Sequence, residues 1–252
     1  MRRLLQLLCV FIALSFVSGC FGPKTEKTYS IYRGTGWQGV NLHGTEKNVI
    51  GFTDDLFMEI AKQKQVKVNF VSVSTHRTLT LLNKENVDAV LTTQTVSPKD
   101  EKLYQFSDPF FSFGPVLILR SKDSLERFKA LKVKAVGFSR GLDEDLMTRE
   151  DLGYIFRPYE QVVDGIDELI AGRIDAFIVD SIYGYQLAGG IYAGQIQVAT
   201  PLFKAVQFRL AVKAGENQEL ITLVNQGLKE LRDNGLYQKM LEYWGLHEQG
   251  GQ

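Results

Sequence analysis

Asn86-Val87-Asp88-Ala89-Val90-Leu91 and Arg173-Ile174-Asp175-Ala176-Phe177-Ile178 are two versions of one phrase. Each follows a stretch with helical periodicity and continues as a short apolar strand, so one helix-to-strand unit occurs twice along the chain. Short β-rich runs alternating with helical patterns build largely parallel sheets flanked by helices, and this sets the fold class as α/β. Two copies of the unit imply two lobes, one copy in each. Ligands of open α/β sheets sit beyond the carboxyl ends of strands. The residues just past each copy are therefore candidate contacts: Thr92, Thr93, Gln94 and Thr95 after the first, and Asp180 after the second.

Working outward, Tyr29 to Tyr32 reads as a first strand and Val66 to Val73 as the next. Between them, Thr53 is expected to cap a helix that has Asp54 and Asp55 in its first turn and Leu56, Phe57, Ile60 and Ala61 on its apolar face. Gly114 to Arg120 and Phe208 to Lys213 are apolar strands followed by polar or glycine residues, and together they suit a two-stranded hinge. That division gives a discontinuous first lobe, 29–118 with 207–247, and an inserted second lobe, 119–206. In the last long helix Leu220, Leu223, Val224, Leu228 and Leu231 share one face, and Asn234-Gly235 ends it.

Arg2 and Arg3 precede the apolar run Leu4 to Val17, and small residues lead into Cys20. This is the pattern of a secretory signal over residues 1–19, with a short polar tether at 20–28. The run is too short to span a bilayer comfortably, since a spanning helix needs roughly 20 apolar residues. The second cysteine, Cys9, lies in the segment to be removed, so the exported chain has no pair to oxidise and no Cys-based zinc site. The 29 basic and 29 acidic residues are interspersed, which gives no sign of a nucleic-acid partner.

Several segments, in order, resemble the family 3 extracellular solute-binding proteins. They are Gly51-Phe52-Thr53-Asp54-Asp55-Leu56, Val87-Asp88-Ala89-Val90, Ser97-Pro98 leading to Phe106-Ser107-Asp108-Pro109-Phe110-Phe111, Val136-Gly137, Ile174-Asp175-Ala176, and Asn234-Gly235-Leu236-Tyr237 through Tyr243-Trp244-Gly245. Val17-Ser18-Gly19-Cys20 likewise looks like a bacterial lipobox, which implies cleavage before Cys20 and its lipidation. The resemblance implies the two-lobed periplasmic-binding-protein fold of type II, with two crossing strands as hinge. It implies a monomeric, non-enzymatic binding lipoprotein of an ABC importer that needs no cofactor or metal, closes on a small polar nutrient such as an amino acid, and docks on permease subunits.

Carried over residue by residue, the resemblance places Trp37 where an aromatic packs on the ligand, with Arg33 on the same loop. Thr93 and Thr95 match the positions that hydrogen-bond the ligand's charged ends, and Asp180 matches the carboxylate that pairs with an α-ammonium. Asp180 or Ser181 equally suits the cap of the following helix. Ser139 and Arg140 lie on the second-lobe loop facing the cleft.

Two positions depart from the family pattern. Asp100 stands where an arginine normally clamps the ligand carboxylate, and Leu142 replaces a threonine after Gly141. A carboxylate ligand then needs Arg33, Arg77, Arg140 or Lys99 as substitute, or Asp100 and Asp180 together favour a cationic ligand. An enzyme on the same fold, similar to cyclohexadienyl dehydratases, would have to draw its acid and base from His76, Asp100 and Asp143. A surface scaffold with a decayed site is the third reading.

Overall fold

A computed structural model describes residues 26–34, 44–74, 78–84, 86–94, 97–140, 153–199 and 205–248. Cys20, Trp37, His76, Arg77, Thr95, Leu142 and Asp143 lie outside these residues. The strands are β1 (Thr28–Gly34), β2 (Lys67–Val73), β3 (Ala89–Thr92), β4 (Tyr104–Phe106), β5 (Phe111–Phe113), β6 (Pro115–Arg120), β7 (Lys134–Ser139), β8 (Tyr154–Tyr159), β9 (Ala176–Asp180), β10 (Ile196–Val198) and β11 (Val206–Lys213). They form two sheets, one ordered β2-β1-β3-β11-β4 with β5 also on β11, the other β10-β6-β9-β7-β8. Around them lie α1 (Glu46–Gln63), the 3-10 turn η1 (Thr78–Asn83), α2 (Asp100–Leu103), α3 (Leu125–Ala130), α4 (Val162–Ile170), α5 (Ser181–Gly189), α6 (Gln218–Asp233) and α7 (Leu236–Tyr243).

The repeated phrase is a repeated device. In the first sheet β1 pairs in parallel with β2 and β3. In the second, β7 pairs in parallel with β8 and β9. Asp88, just ahead of β3, accepts the Ser30 amide on Oδ2 at 2.8 Å and donates its own amide to Ser30 O at 3.1 Å. Asp175, just ahead of β9, does the same with Ala135, at 2.8 Å and 2.7 Å. In each case a carboxylate takes the amide at the start of the neighbouring strand and fixes the register there. Antiparallel partners complete each sheet: β11 with β4 and β5 alongside β3, and β6 with β10 alongside β9. Both sheets are mixed rather than largely parallel.

The hinge differs from the expected pairing. β6 lies wholly in the second sheet, with Pro115 to Ile118 against Asp180 to Phe177, and does not neighbour β11. The antiparallel partners of the crossing are β5 and the start of β11, in register Val206↔Phe113, Gln207↔Ser112 and Phe208↔Phe111. An apolar run carries no label saying which sheet it will join. What decides is the aromatic cluster: Phe208 lies 5.0 Å from Phe113 and 5.9 Å from Phe111, ring centre to ring centre, within the first core. β6 instead buries Val116 and Ile118 on one face and Leu117 and Leu119 on the other, in the two cores of the second sheet.

Helix α1 also starts earlier than its expected cap. Thr53 is buried mid-helix and its Oγ1 donates back to Val49 O at 2.7 Å. Gly51 reads as a loop residue in the sequence, yet it sits inside this helix because the indole of Trp244 occupies the space of a side chain. A Cβ there would lie 2.1 Å from Trp244 Cη2. Trp244 Nε1 donates to Asp55 Oδ2 at 2.9 Å, and Asn48 Nδ2 donates to the Trp244 carbonyl at 2.8 Å. The C-terminal Tyr-Trp-Gly signature is thus a clasp on α1.

Overpacking typically costs about 1–3 kcal/mol, whereas replacing an interior helical glycine by alanine gains about 1 kcal/mol. Gly51→Ala is expected to destabilise the protein, and the same substitution beside Trp244→Ala is expected to stabilise that background. Urea denaturation of the two pairs reads this change of sign.

Candidate ligand-binding site

The topology turns two strand edges toward each other. Since β6 is antiparallel to β9, its first residue pairs with Asp180, the last residue of β9. Since β11 is antiparallel to β3, Arg209 near its start lies opposite Thr92, the last residue of β3. Both crossings between the sheets therefore leave from the edge where the parallel strands end. The carboxyl ends of β3 on one side, and of β9 with its parallel neighbour β7 on the other, lie beside the same hinge. This is the place where an open α/β sheet offers polar groups to a ligand.

On the first sheet, Thr92 is buried and its hydroxyl accepts the Gln94 amide at 3.1 Å, turning the chain at once. Gln94 Oε1 reaches the Leu79 amide at the start of η1, at 3.5 Å. Thr93 and Gln94 are half-buried at this edge.

On the second sheet, Asp180 is 3% exposed and ends β9, whose every residue is buried. Its side chain makes no capping hydrogen bond to α5. Ser181, the alternative cap, turns its hydroxyl to the Gly114 amide at 3.3 Å, and its own amide donates to Gly114 O at 2.8 Å. The residue after Asp180 is therefore bolted to the crossing itself. Ser139 is buried at the end of β7, and its hydroxyl lies 3.3 Å from Arg140 O. Arg140 is exposed beside it and pairs with Glu160 at 2.7 Å.

Two expected contacts are occupied elsewhere. The Arg33 guanidinium pairs with Asp54 of α1 and lies 4.9 Å from the Phe70 ring, so it ties β1 to its covering helix. Asp100 accepts the Ser97 hydroxyl at 2.6 Å and the Ser97 amide at 3.0 Å, while Ser97 Oγ accepts the Asp100 amide at 3.2 Å. This reciprocal pair closes the turn that leads into α2, with the bonding pattern of a capping box. The Ser97 hydrogen bonds, the hydroxyl's before the amide's, hold the Asp100 carboxyl below its usual range. Asp100 is thus engaged as a local brace.

Sequence reasoning missed Arg209. It lies half-buried on β11 between Phe208 and Leu210, both of which face the first core. The available signal was a charge set inside the apolar run Phe208 to Val212. Among the described residues, no group of three or more His, Cys, Asp or Glu side chains is gathered to hold a metal. No described helix is long and apolar enough to cross a membrane.

Two mixed α/β sheets joined by paired crossing strands, with polar strand ends flanking the join, define the class of type II periplasmic binding proteins. Among solved structures the chain is similar to the L-cystine solute receptor of Neisseria gonorrhoeae in its unliganded open conformation. That likeness has a TM-score of 0.70 at 17% identity, over 90% of this chain and 97% of that one. Among curated proteins it is 26% identical over 202 residues to the arginine-binding extracellular protein ArtP of Bacillus subtilis (strain 168), over 78% of each. It is 27% identical over 211 residues to a probable histidine-binding protein of Neisseria gonorrhoeae, over 81% of this chain and 78% of that one. Residues 35–247 match the bacterial extracellular solute-binding proteins, family 3, and the chain belongs to that family.

Proposed function

We propose that this protein is the substrate-binding component of an ABC importer and holds an amino acid or related amine between its two sheets by hinge closure. The observation that carries the reading is Asp180, a carboxylate 3% exposed at a strand end, braced through Ser181 to the crossing and not used as a helix cap. A buried carboxylate at such a place suits an ammonium group, for which a charge-assisted bond contributes about 1.5–3 kcal/mol. Thr93, Gln94 and Ser139 are read as polar contacts around it, and Trp37, Thr95 and Leu142 as further contacts. Relatives bearing the names of arginine-, histidine- and cystine-binding proteins support the ligand class.

The protein is read as a monomeric, non-catalytic binder that docks on permease subunits. The dehydratase-like alternative loses support because Asp100, one of its three candidate groups, is committed to Ser97. Segment 119–206, together with residues 115–118 that begin β6, is read as the moving lobe.

A ligand at 100 times its dissociation constant raises stability by about 2.7 kcal/mol. Thermal-shift titration of the soluble form lacking residues 1–20 with amino acids and polyamines is expected to find at least one stabilising compound. Asp180→Asn is expected to weaken that compound about 10- to 150-fold. A flat panel would refute the binding role, and an unchanged affinity would remove Asp180 from the site.

Anchoring through lipidated Cys20 is read from Val17-Ser18-Gly19-Cys20. Expressed in a bacterium, the full chain is expected to partition with membranes and carry a lipid mass on Cys20, both lost in Cys20→Ala. Equal partitioning of the two would refute the anchor.

A further inference from the structure

We propose that Arg209 is the residue that takes the ligand's carboxylate, in place of the arginine that Asp100 has displaced. The inference rests on the proposed role as a binder of amino acids and names the partner for the ligand's second charge.

Arg209 lies opposite Thr92, at the end of β3. Alternation along β11 puts Phe208, Leu210 and Val212 in the first core and turns Arg209 and Ala211 to the opposite face. That is the face shared with Val90 and covered by η1, at whose start Gln94 meets the Leu79 amide. Arg209 is therefore beside the Thr92–Gln94 turn, on the strand that returns from the second sheet.

Arg209 donates one bond to Ser107 O at 3.3 Å and one to Gln207 Oε1 at 2.5 Å. These neutral acceptors orient the guanidinium without neutralising it, and a guanidinium has five N–H donors. Arg33, Arg120, Arg127, Arg140, Arg173 and Arg232 each pair with a carboxylate. Arg157, which donates to the Arg173 carbonyl, is exposed. Among the described arginines, Arg209 alone is half-buried with no carboxylate partner among the described residues. A partly desolvated cation favours an anionic partner, and the planar guanidinium matches a carboxylate with two parallel bonds.

The alternatives are weaker. Arg33 is held by Asp54 and Arg140 by Glu160, so either would have to give up an existing ion pair. Lys99 offers a point charge in an exposed turn. With Asp180 for the ammonium and Arg209 for the carboxylate, the site reads as selective for a zwitterion rather than a simple cation.

Isothermal calorimetry with matched probes tests this: L-arginine, L-histidine and L-glutamine, each against its own α-carboxamide. The wild-type protein is expected to bind at least one acid about tenfold or more tightly than its amide. Arg209→Met is expected to bring that ratio close to one, and Arg209→Lys to keep part of it. A ratio within one variant compares two ligands on the same folded fraction, so a change in stability does not mimic the result. If Arg209→Met keeps the wild-type ratio, or the wild type binds acid and amide alike, the assignment of Arg209 is overturned while the binding role stands. If the wild type binds none of the six probes, this assignment falls, and the panel that tests the binding role itself decides whether that falls too.

Discussion

The architecture turns on one repeated contact, a carboxylate just ahead of a strand taking an amide near the start of its parallel neighbour. Asp88 holds Ser30 in this way and Asp175 holds Ala135. Parallel strands bond on a slant, and a slip of one residue would send each side chain to the opposite face. The brace removes that freedom where it costs least, at the amino end. The register it fixes is carried along β3 and β9 to their last residues, Thr92 and Asp180, which form the polar edge. Each strand is fully buried along its length, so polar groups can emerge only where it stops.

A second constraint orients the two edges. Because β6 and β11 run against the parallel strands, the chain leaves and rejoins each sheet at its carboxyl edge. The crossing is stiffened by phenylalanines at 111, 113 and 208 and by the exchange between Ser181 and Gly114. It stays narrow, with three residue pairs joining β5 to β11. A short antiparallel join anchored in one core suits a pivot, since bending there disturbs little buried surface. The first turn of α5 reaches across, with Ile182 in the first core and Tyr185 4.5 Å from His247 between ring centres.

How much of this could be read from the sequence differed by element. The two α/β units were legible because Asp-Ala followed by apolar residues marks where a strand begins, and the clustering of polar residues just past each unit pointed to the same edges. The helical face of Leu220, Val224, Leu228 and Leu231 was legible for the same periodic reason. The start of α1 was not, because Gly51 reads as a breaker until Trp244, far along the chain, is seen filling its space. The pairing of β6 was not, because burial on both faces erases the alternation that would tell one sheet from another. Charged residues were the hardest: Arg33 and Asp100 look available in the sequence, and only their neighbours Asp54 and Ser97 show that they are engaged. Arg209 looked like part of a strand and is, among the described residues, the half-buried arginine without a carboxylate partner.

Ligand capture by closure requires the two carboxyl edges to approach each other around a bound molecule. Small-angle X-ray scattering of the soluble protein, alone and saturated with an amino acid whose binding calorimetry has established, measures that movement directly. A smaller radius of gyration in the saturated sample is the predicted result. Superimposable curves at proven saturation would contradict closure about the β5–β11 join.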